Sequence, residues 1–483
     1  NCGNLITHCL KMMKQFESGD KAGRMLALQL KQVESKRTIP AIRDPKGIII
    51  RDPKLINLAF RDFYYRLYQT ECPLQDHCME NFLKNISLPV LDVTQKDKLE
   101  IPITSSEVES AIKSLSSGKT PGSDGFTSEF YKCFAASLSP LLEKLYNDLI
   151  ENQSVPVTMR SATICLVPKP GKDHELVNNF RPISLLNNDY KVFEKILALR
   201  LEEVIPFLVN LDQVGFVAGR QSANNMRRLF QVMACASSLR RPAVAISLDA
   251  EKAFDRIEWP YLFNVLTKYG FGPTCMKWFR TLYYKPISSI RSNNILSDPF
   301  QLYRGTRQGS TVSPLIFILA LEPLACAIRE TSEIAGISMG GHQFKINLYA
   351  DDILLTLMDP IKSIPKVLEI MNSFGSFSGY KINWNKCEAI PLNHYTYPVH
   401  LGSAPFVWKS DGLKYLGVII KTPVNKIFEL NGKNIKSNQR RPEKMDNFTS
   451  IFVGKGGGVK NERPPKTGPH HIFHPPAISL TVV

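Results

Sequence analysis

Apolar positions along this chain follow two spacings. Phe60, Phe63, Tyr64 and Leu67 recur at i, i+3, i+4 and i+7, with Arg61 and Arg66 off the stripe, which predicts a packing helix. Val108, Ala111, Ile112 and Leu115 form a second face, opened by a Thr104/Glu107 capping box, with Gly118 expected as its C-terminal cap. A longer helix carries Phe193, Leu197, Leu201, Val204 and Leu208 on one side and Lys191, Lys195 and Arg200 off it. Ser313-Pro314 opens an apolar helix from Leu315 to Ile328, interrupted by Glu322 and Pro323. Elsewhere the pattern shortens. Ala162 to Val167 predicts a strand running into a Pro168 to Asp173 tip, and a turn precedes Asn179 to Ser184. Ala243 to Leu248 is almost continuously apolar, as expected of a strand buried on both faces, and ends in Asp249. Ile346 to Tyr349 and Ile353 to Leu357 flank Ala350-Asp351-Asp352, which predicts a hairpin with acids at its turn. Leu413 to Ile420 reads as a last strand containing Gly417. Residues 1–90 read as helical around a loop at Pro40 to Pro53, including a helix over Ala22 to Val33. Beyond Lys421 periodicity is lost and Pro, Gly and basic residues accumulate, predicting a disordered tail.

Charge narrows the partner. Lys plus Arg number 60 against 44 Asp plus Glu, a net +16, which favours a polyanion, nucleic acid before anionic membrane. No run reaches the roughly 18 apolar residues of a membrane span, and no signal peptide opens the sequence. The ten cysteines form no C-x-x-C pair or zinc spacing and read as reduced thiols of an intracellular protein, nuclear or cytoplasmic. His470, His471 and His474 lack partners at metal-ligand spacing. The loop Gly118 to Gly125 lacks the G-x-x-x-x-G-K-[ST] order of a phosphate-binding P-loop.

The acids carry the candidate chemistry. A carboxylate ending a buried strand is costly unless paired or bound to a metal, and adjacent carboxylates repel unless a cation relieves them. Asp249, Asp351 and Asp352 meet if their strands neighbour one another in one sheet. They are then suited to two Mg²⁺ ions, or Mn²⁺, ~3.5–4 Å apart, the arrangement for in-line phosphoryl displacement. Lys169, Lys172 and Arg181 on turns are placed to clamp a polyphosphate. Gly305 to Ser310 brackets Arg307 and Gln308 with glycines that permit close backbone approach to a ligand.

Eight segments then occur in a telling order: GKTPGSDGFTSEFY, LVPKPGKD with NNFRPISLLN, QVGFVAGR, ISLDAEKAFDRI, GTRQGS with SPLIF, YADD, GYKINWNKCE and KYLGV. This series resembles the motifs of reverse transcriptases, above all those of non-LTR retrotransposons of the long-interspersed-element class. The resemblance implies an α+β right-hand polymerase fold of fingers and palm over residues 100–420, after a helical extension over 1–99 and before a basic tail over 421–483. It implies an RNA-directed DNA polymerase extending a DNA primer on an RNA template with dNTPs and two Mg²⁺ ions. Asp249, Asp351 and Asp352 match the metal-binding acids. Lys169, Arg181, Ala250, Phe254, Gln308, Gly309 and Lys386 match nucleotide-binding positions, and Leu416 and Gly417 the primer-grip region. Phe254, five residues after Asp249, matches the aromatic gate that excludes a ribose 2′-OH, which argues against an RNA-dependent RNA polymerase.

The chain departs from that pattern in places. Ser310-Thr311-Val312 stands where Cys-Pro-Leu is common. Neither thumb helices nor a cysteine-rich segment is recognisable after Ile420, and the tail reads as a shifted frame or mis-spliced sequence. No endonuclease is recognisable either. The alternative is an inactive nucleic-acid-binding remnant of a transposon.

Overall fold

A computed structural model describes residues 38–431 apart from 45, 73–76, 396–403, 425 and 428–429. The expected helix over Ala22 to Val33, nearly all of the tail and its histidines lie outside the described residues. The fold mixes helices with two principal sheets of seven and five strands among the described residues.

The seven-stranded sheet is built around Ala243–Leu248. This strand pairs antiparallel with Asp352–Met358, Leu248 opposite Ile353, and on its other side with Glu388–Pro391, Ser247 opposite Glu388. Its continuous apolarity has a direct cause in the packing. Val244, Ile246 and Leu248 point into a core with helices Ser313–Glu330 and Pro360–Ser378, while Ala243 and Ala245 face a second core with helix Ser222–Ser238. Helix Ser313–Glu330 is buried all round from Leu315 to Ile328, with Glu322 matched to Arg329.

The five-stranded sheet pairs Ser161–Pro168 antiparallel with Phe180–Leu186 and parallel with Ile287–Ser292. The segment from Phe180 is strand, and the expected turn precedes it over residues 170–176. Pro182 is tolerated because this strand lies at the edge of the sheet, where a missing N–H costs no ladder bond. Helix Pro53–Leu67, capped by the Asp52 carboxylate on the Lys54 and Leu55 amides, lays Phe60 and Tyr64 over that sheet against Ile164, Phe180 and Ile290. The preceding segment, expected as loop, contains a short ladder of Ile42–Arg43 with Ile49–Ile50.

Helix Ser105–Ser114 has the expected capping box, and Arg200 grips its Glu107 with Nε at 2.8 Å and Nη2 at 2.9 Å. Gly118 is not its cap, because the helix closes at Leu115 in extended backbone. Leu413 to Ile420 is not one strand. Leu416 (φ +47°) and Gly417 (φ +84°) turn Leu413–Tyr415 back on Val418–Ile420, since two successive left-handed residues make a two-residue hairpin loop. Packing continues past Ile420: Asn431 donates to and accepts from the Ile419 backbone at 3.0 Å. Among the described residues no helix is long and apolar enough to cross a membrane.

Candidate active site

One residue beyond the Leu248–Ile353 pair, the two central strands end in Asp249 and Asp352, with Asp351 in the turn beside them. Three acids thus share one end of the sheet. Ala350 carries the turn at φ +55°, a left-handed conformation that something must hold. Gln213 does so. Its Oε1 accepts from the Ala350 amide at 2.9 Å and its Nε2 donates to the Ala350 carbonyl at 3.3 Å. Gly215 lies so close that a Cβ there would stand 2.3 Å from the Ala350 nitrogen.

Crowding shows in the acids' protonation. Burial and then the Asp249 charge raise Asp351 above the usual carboxylate range. Asp352, at the exposed rim, is raised to about 6 by loss of solvent against the sheet, then by Asp351 and Asp249. On the other side, residues 381–386 wrap Asp249. Asn383 N–H donates to its carbonyl at 2.8 Å, Ala250 bridges Ile382, and Lys386 Nζ sits 3.4 Å from Asp249 Oδ2. That Oδ2 is buried without a hydrogen-bond partner.

Opposite the acids, the cleft is basic. Lys169 is held at the tip of the edge hairpin, where its Nζ donates to the Asn178 carbonyl at 3.2 Å. Burial lowers its pKa, and the charges of Lys386 and Arg181 lower it further, so three cations face one space without neutralising one another. Lys252 is held down to about 8 by burial, with its Nζ 4.9 Å and 5.4 Å from the ring centres of Phe63 and Tyr64.

Between these walls lies an open cleft of about 690 Å³. Lys169, Arg181, Asp249, Ala250, Phe254, Gln308, Gly309, Asp351 and Lys386 all line it. Phe254 stacks on Phe317 at 4.2 Å, which fixes its plane. Gln308 donates to Asp255 Oδ2 at 3.0 Å, and Gly309 (φ +112°) passes so near Ser184 that a Cβ would stand 2.6 Å from its carbonyl oxygen. The structure does not bring Leu416 and Gly417 into this cleft. They form the tip of a hairpin packed on the second core, whose Tyr415 hydroxyl meets Asn225 at 3.3 Å.

The sequence reading missed Gln213, Gly215, Phe216, Lys252 and Asp255. Glycine followed by an aromatic in QVGF was the available signal for the first three, and the acid two residues after Ala253 for the last.

Residues 167–420 match the model of reverse transcriptases, RNA-dependent DNA polymerases, more than half of the chain. The chain belongs to the reverse transcriptase family. Known relatives agree. An uncharacterized 149 kDa protein of transposon TX1 from Xenopus laevis is 30% identical over 85% of this chain and 31% of its own length. The Pol polyprotein of a type-1 R2 retrotransposable element from Popillia japonica is 26% identical over 60% of the chain and 40% of its own. The RNA-directed DNA polymerase of mobile element jockey from Drosophila melanogaster is 24% identical over 66% and 35%. The chain therefore spans about a third of the length of these relatives.

Reverse transcriptases generally use divalent metal ions. Among the described residues no three acidic, imidazole or thiol groups form a ready-made metal cage. An incomplete donor set nonetheless fits Mg²⁺, which is commonly held by one or two carboxylates and completed by substrate phosphates. Asp249 Oδ2, which accepts no hydrogen bond although Lys386 Nζ lies 3.4 Å away, and the raised Asp351 and Asp352 are what a divalent cation would satisfy.

Proposed function

We propose that this chain is an RNA-directed DNA polymerase of a non-LTR retrotransposon, extending a primer 3′-OH with dNTPs on an RNA template. The observation that carries the reading is the opposition, across one cleft, of Asp249 and Asp351 to Lys169 and Arg181. The central sheet with its helices acts as the palm, and the Ser161–Pro168 sheet with the Lys169 tip as the fingers. Residues 100–420 form the polymerase unit behind an N-terminal extension.

Asp249, Asp351 and Asp352 would hold two Mg²⁺ ions, which would supply activation of the primer hydroxyl and stabilisation of the leaving pyrophosphate. Lys169 and Arg181 bind the triphosphate as point charge and bidentate fork. Lys386, beside Asp249, faces the departing pyrophosphate. Ala250 leaves room for the nucleotide above the sheet end, and Gln308 and Gly309 line its base and template side. Phe254 closes the sugar pocket against a 2′-OH. Leu416 and Gly417 support the primer from outside the cleft, as the tip of their hairpin. Basic surface elsewhere holds the nucleic acid through phosphates, without reading sequence.

Primer extension on an RNA template with residues 1–483 and an Asp351→Ala variant tests this. Extension that needs dNTPs and Mg²⁺ and is lost in the variant supports the enzyme. Salt-sensitive RNA binding by both proteins without extension by either refutes it and favours a binding remnant.

A further inference from the structure

Phe216 has an unusual combination of properties. It lines the catalytic cleft, is 47% exposed, and adopts φ +59°. Left-handed backbone is rare for a bulky residue and persists only where the surroundings force it. The surroundings do so here. Val214 N–H donates to the Leu348 carbonyl at 3.0 Å, Gln213 clasps Ala350, and Gly215 is pressed against the Ala350 nitrogen. The segment is thus fastened to the acidic turn immediately before Phe216, and the ring emerges edge-on to Phe254 at 6.3 Å and 85°. A strained backbone presenting a half-exposed ring to solvent does nothing for the core. It is explained by a ligand that covers the ring.

We infer that Phe216 is a second sugar-contacting residue, forming with Phe254 a two-ring apolar wall that selects a deoxyribose over a ribose. This rests on the polymerase reading and assigns a residue that reading does not use. The recognised group is the C2′ position of a nucleoside triphosphate. A methylene there packs on the rings. A hydroxyl there is stripped of water and meets no hydrogen-bond partner on either ring. An apolar wall of this kind rejects an added hydroxyl by on the order of a hundredfold, so each ring accounts for a share of that factor.

Phe216→Gly is the cleanest deletion, because glycine adopts φ +59° without strain. The full chain and its Phe216→Gly and Phe216→Tyr variants are compared for kcat/KM with dNTPs and with rNTPs in primer extension. Binding of dUTP and UTP, which differ only at C2′, to each protein is measured by equilibrium dialysis with Mg²⁺ and primer-template. The expected result is a dNTP preference reduced about tenfold in Phe216→Gly, carried mainly by a lower KM for rNTPs, and retained in Phe216→Tyr. An unchanged ratio in an active Phe216→Gly protein overturns the inference. So does an equal loss with both sugars accompanied by a higher KM for primer-template, which would assign the ring to the primer end. If the wild type fails to extend, the polymerase reading fails. A dUTP-over-UTP binding preference abolished in Phe216→Gly would still uphold the sugar contact, and its persistence there would remove it.

Discussion

The side-chain amide of Gln213 makes both backbone hydrogen bonds of Ala350, 137 residues away, accepting from its N–H at 2.9 Å and donating to its carbonyl at 3.3 Å. It does so while almost wholly buried, and its Oε1 also accepts from Gly215 at 2.8 Å. A buried amide left without a partner costs about 1–3 kcal/mol. Gln213→Ala should therefore lower unfolding stability by that amount, read from urea titration. It should also reduce primer extension by about a hundredfold, the effect of a misplacement near 1 Å in a reacting group.

The buried Asp255 links the N-terminal helix to the cleft. It accepts from Tyr68 Oη at 2.8 Å and from Gln308 Nε2 at 3.0 Å. Burial raises its pKa from the ordinary 3.8 to about 6, against the lowering pull of Lys252, Tyr68 and Gln308. Between about pH 4 and 6 the folded protein therefore keeps a proton that the unfolded chain has released, and stability falls as pH rises through that window. Tyr68→Phe removes one donor to the charged form and moves the folded value higher still. Its deficit, about 1–3 kcal/mol, should be larger at pH 7.5 than at pH 5 in paired urea titrations. An equal deficit at both would show that the phenol does not act through the Asp255 charge.

Arg304 is fully buried, with Nη1 3.2 Å from Glu258 and Nη2 2.8 Å from Glu71, while its Nε donates to the Leu67 carbonyl at 2.8 Å. Glu258 is as deeply buried, so removing the guanidinium strands a carboxylate. Arg304→Ala should cost about 3–5 kcal/mol. Glu71 is 40% exposed, and Glu71→Ala should cost about 1 kcal/mol or less. Thermal unfolding of the two variants side by side checks the ordering.

Gly309 tests the loop that carries Gln308. With φ +112° and the Ser184 carbonyl oxygen 2.6 Å from any added Cβ, Gly309→Ala must move the loop or the edge strand. The Ser184 N–H already donates to the Gln308 carbonyl at 2.7 Å, so the displacement reaches Gln308 directly. The expected loss is about a hundredfold in dNTP kcat/KM with an unchanged far-ultraviolet dichroism spectrum. Wild-type kinetics would show that Gln308 does not need this placement.

Much of this site was legible in the sequence because local patterns decide it. The apolar runs on either side of Asp351-Asp352 dictate a hairpin, and the run into Asp249 dictates a strand covered on both faces. The capping box at Thr104 names its helix from four residues. What escaped depends on distant parts of the chain. Nothing near Gln213 reveals that its partner is Ala350, and Asp255 becomes a buried acceptor only once Tyr68 and Gln308 arrive. One error was local: Leu416 hid a hairpin because leucine so rarely takes positive φ.

The position of Ala243–Leu248 in its sheet has a consequence during synthesis. Both of its neighbours, Asp352–Met358 and Glu388–Pro391, lie about a hundred residues or more further along the chain. At roughly 5–20 residues per second, a ribosome needs several seconds or more after making this strand before either neighbour exists. For that interval a strongly apolar segment has two unfilled hydrogen-bonding edges, the kind of surface that chaperones shield and that aggregates recruit. A slow stretch of codons placed where Ala243–Leu248 has already left the ribosome but Asp352–Met358 has not yet been made should therefore lower the soluble yield of this protein more than the same stretch placed well after Pro391.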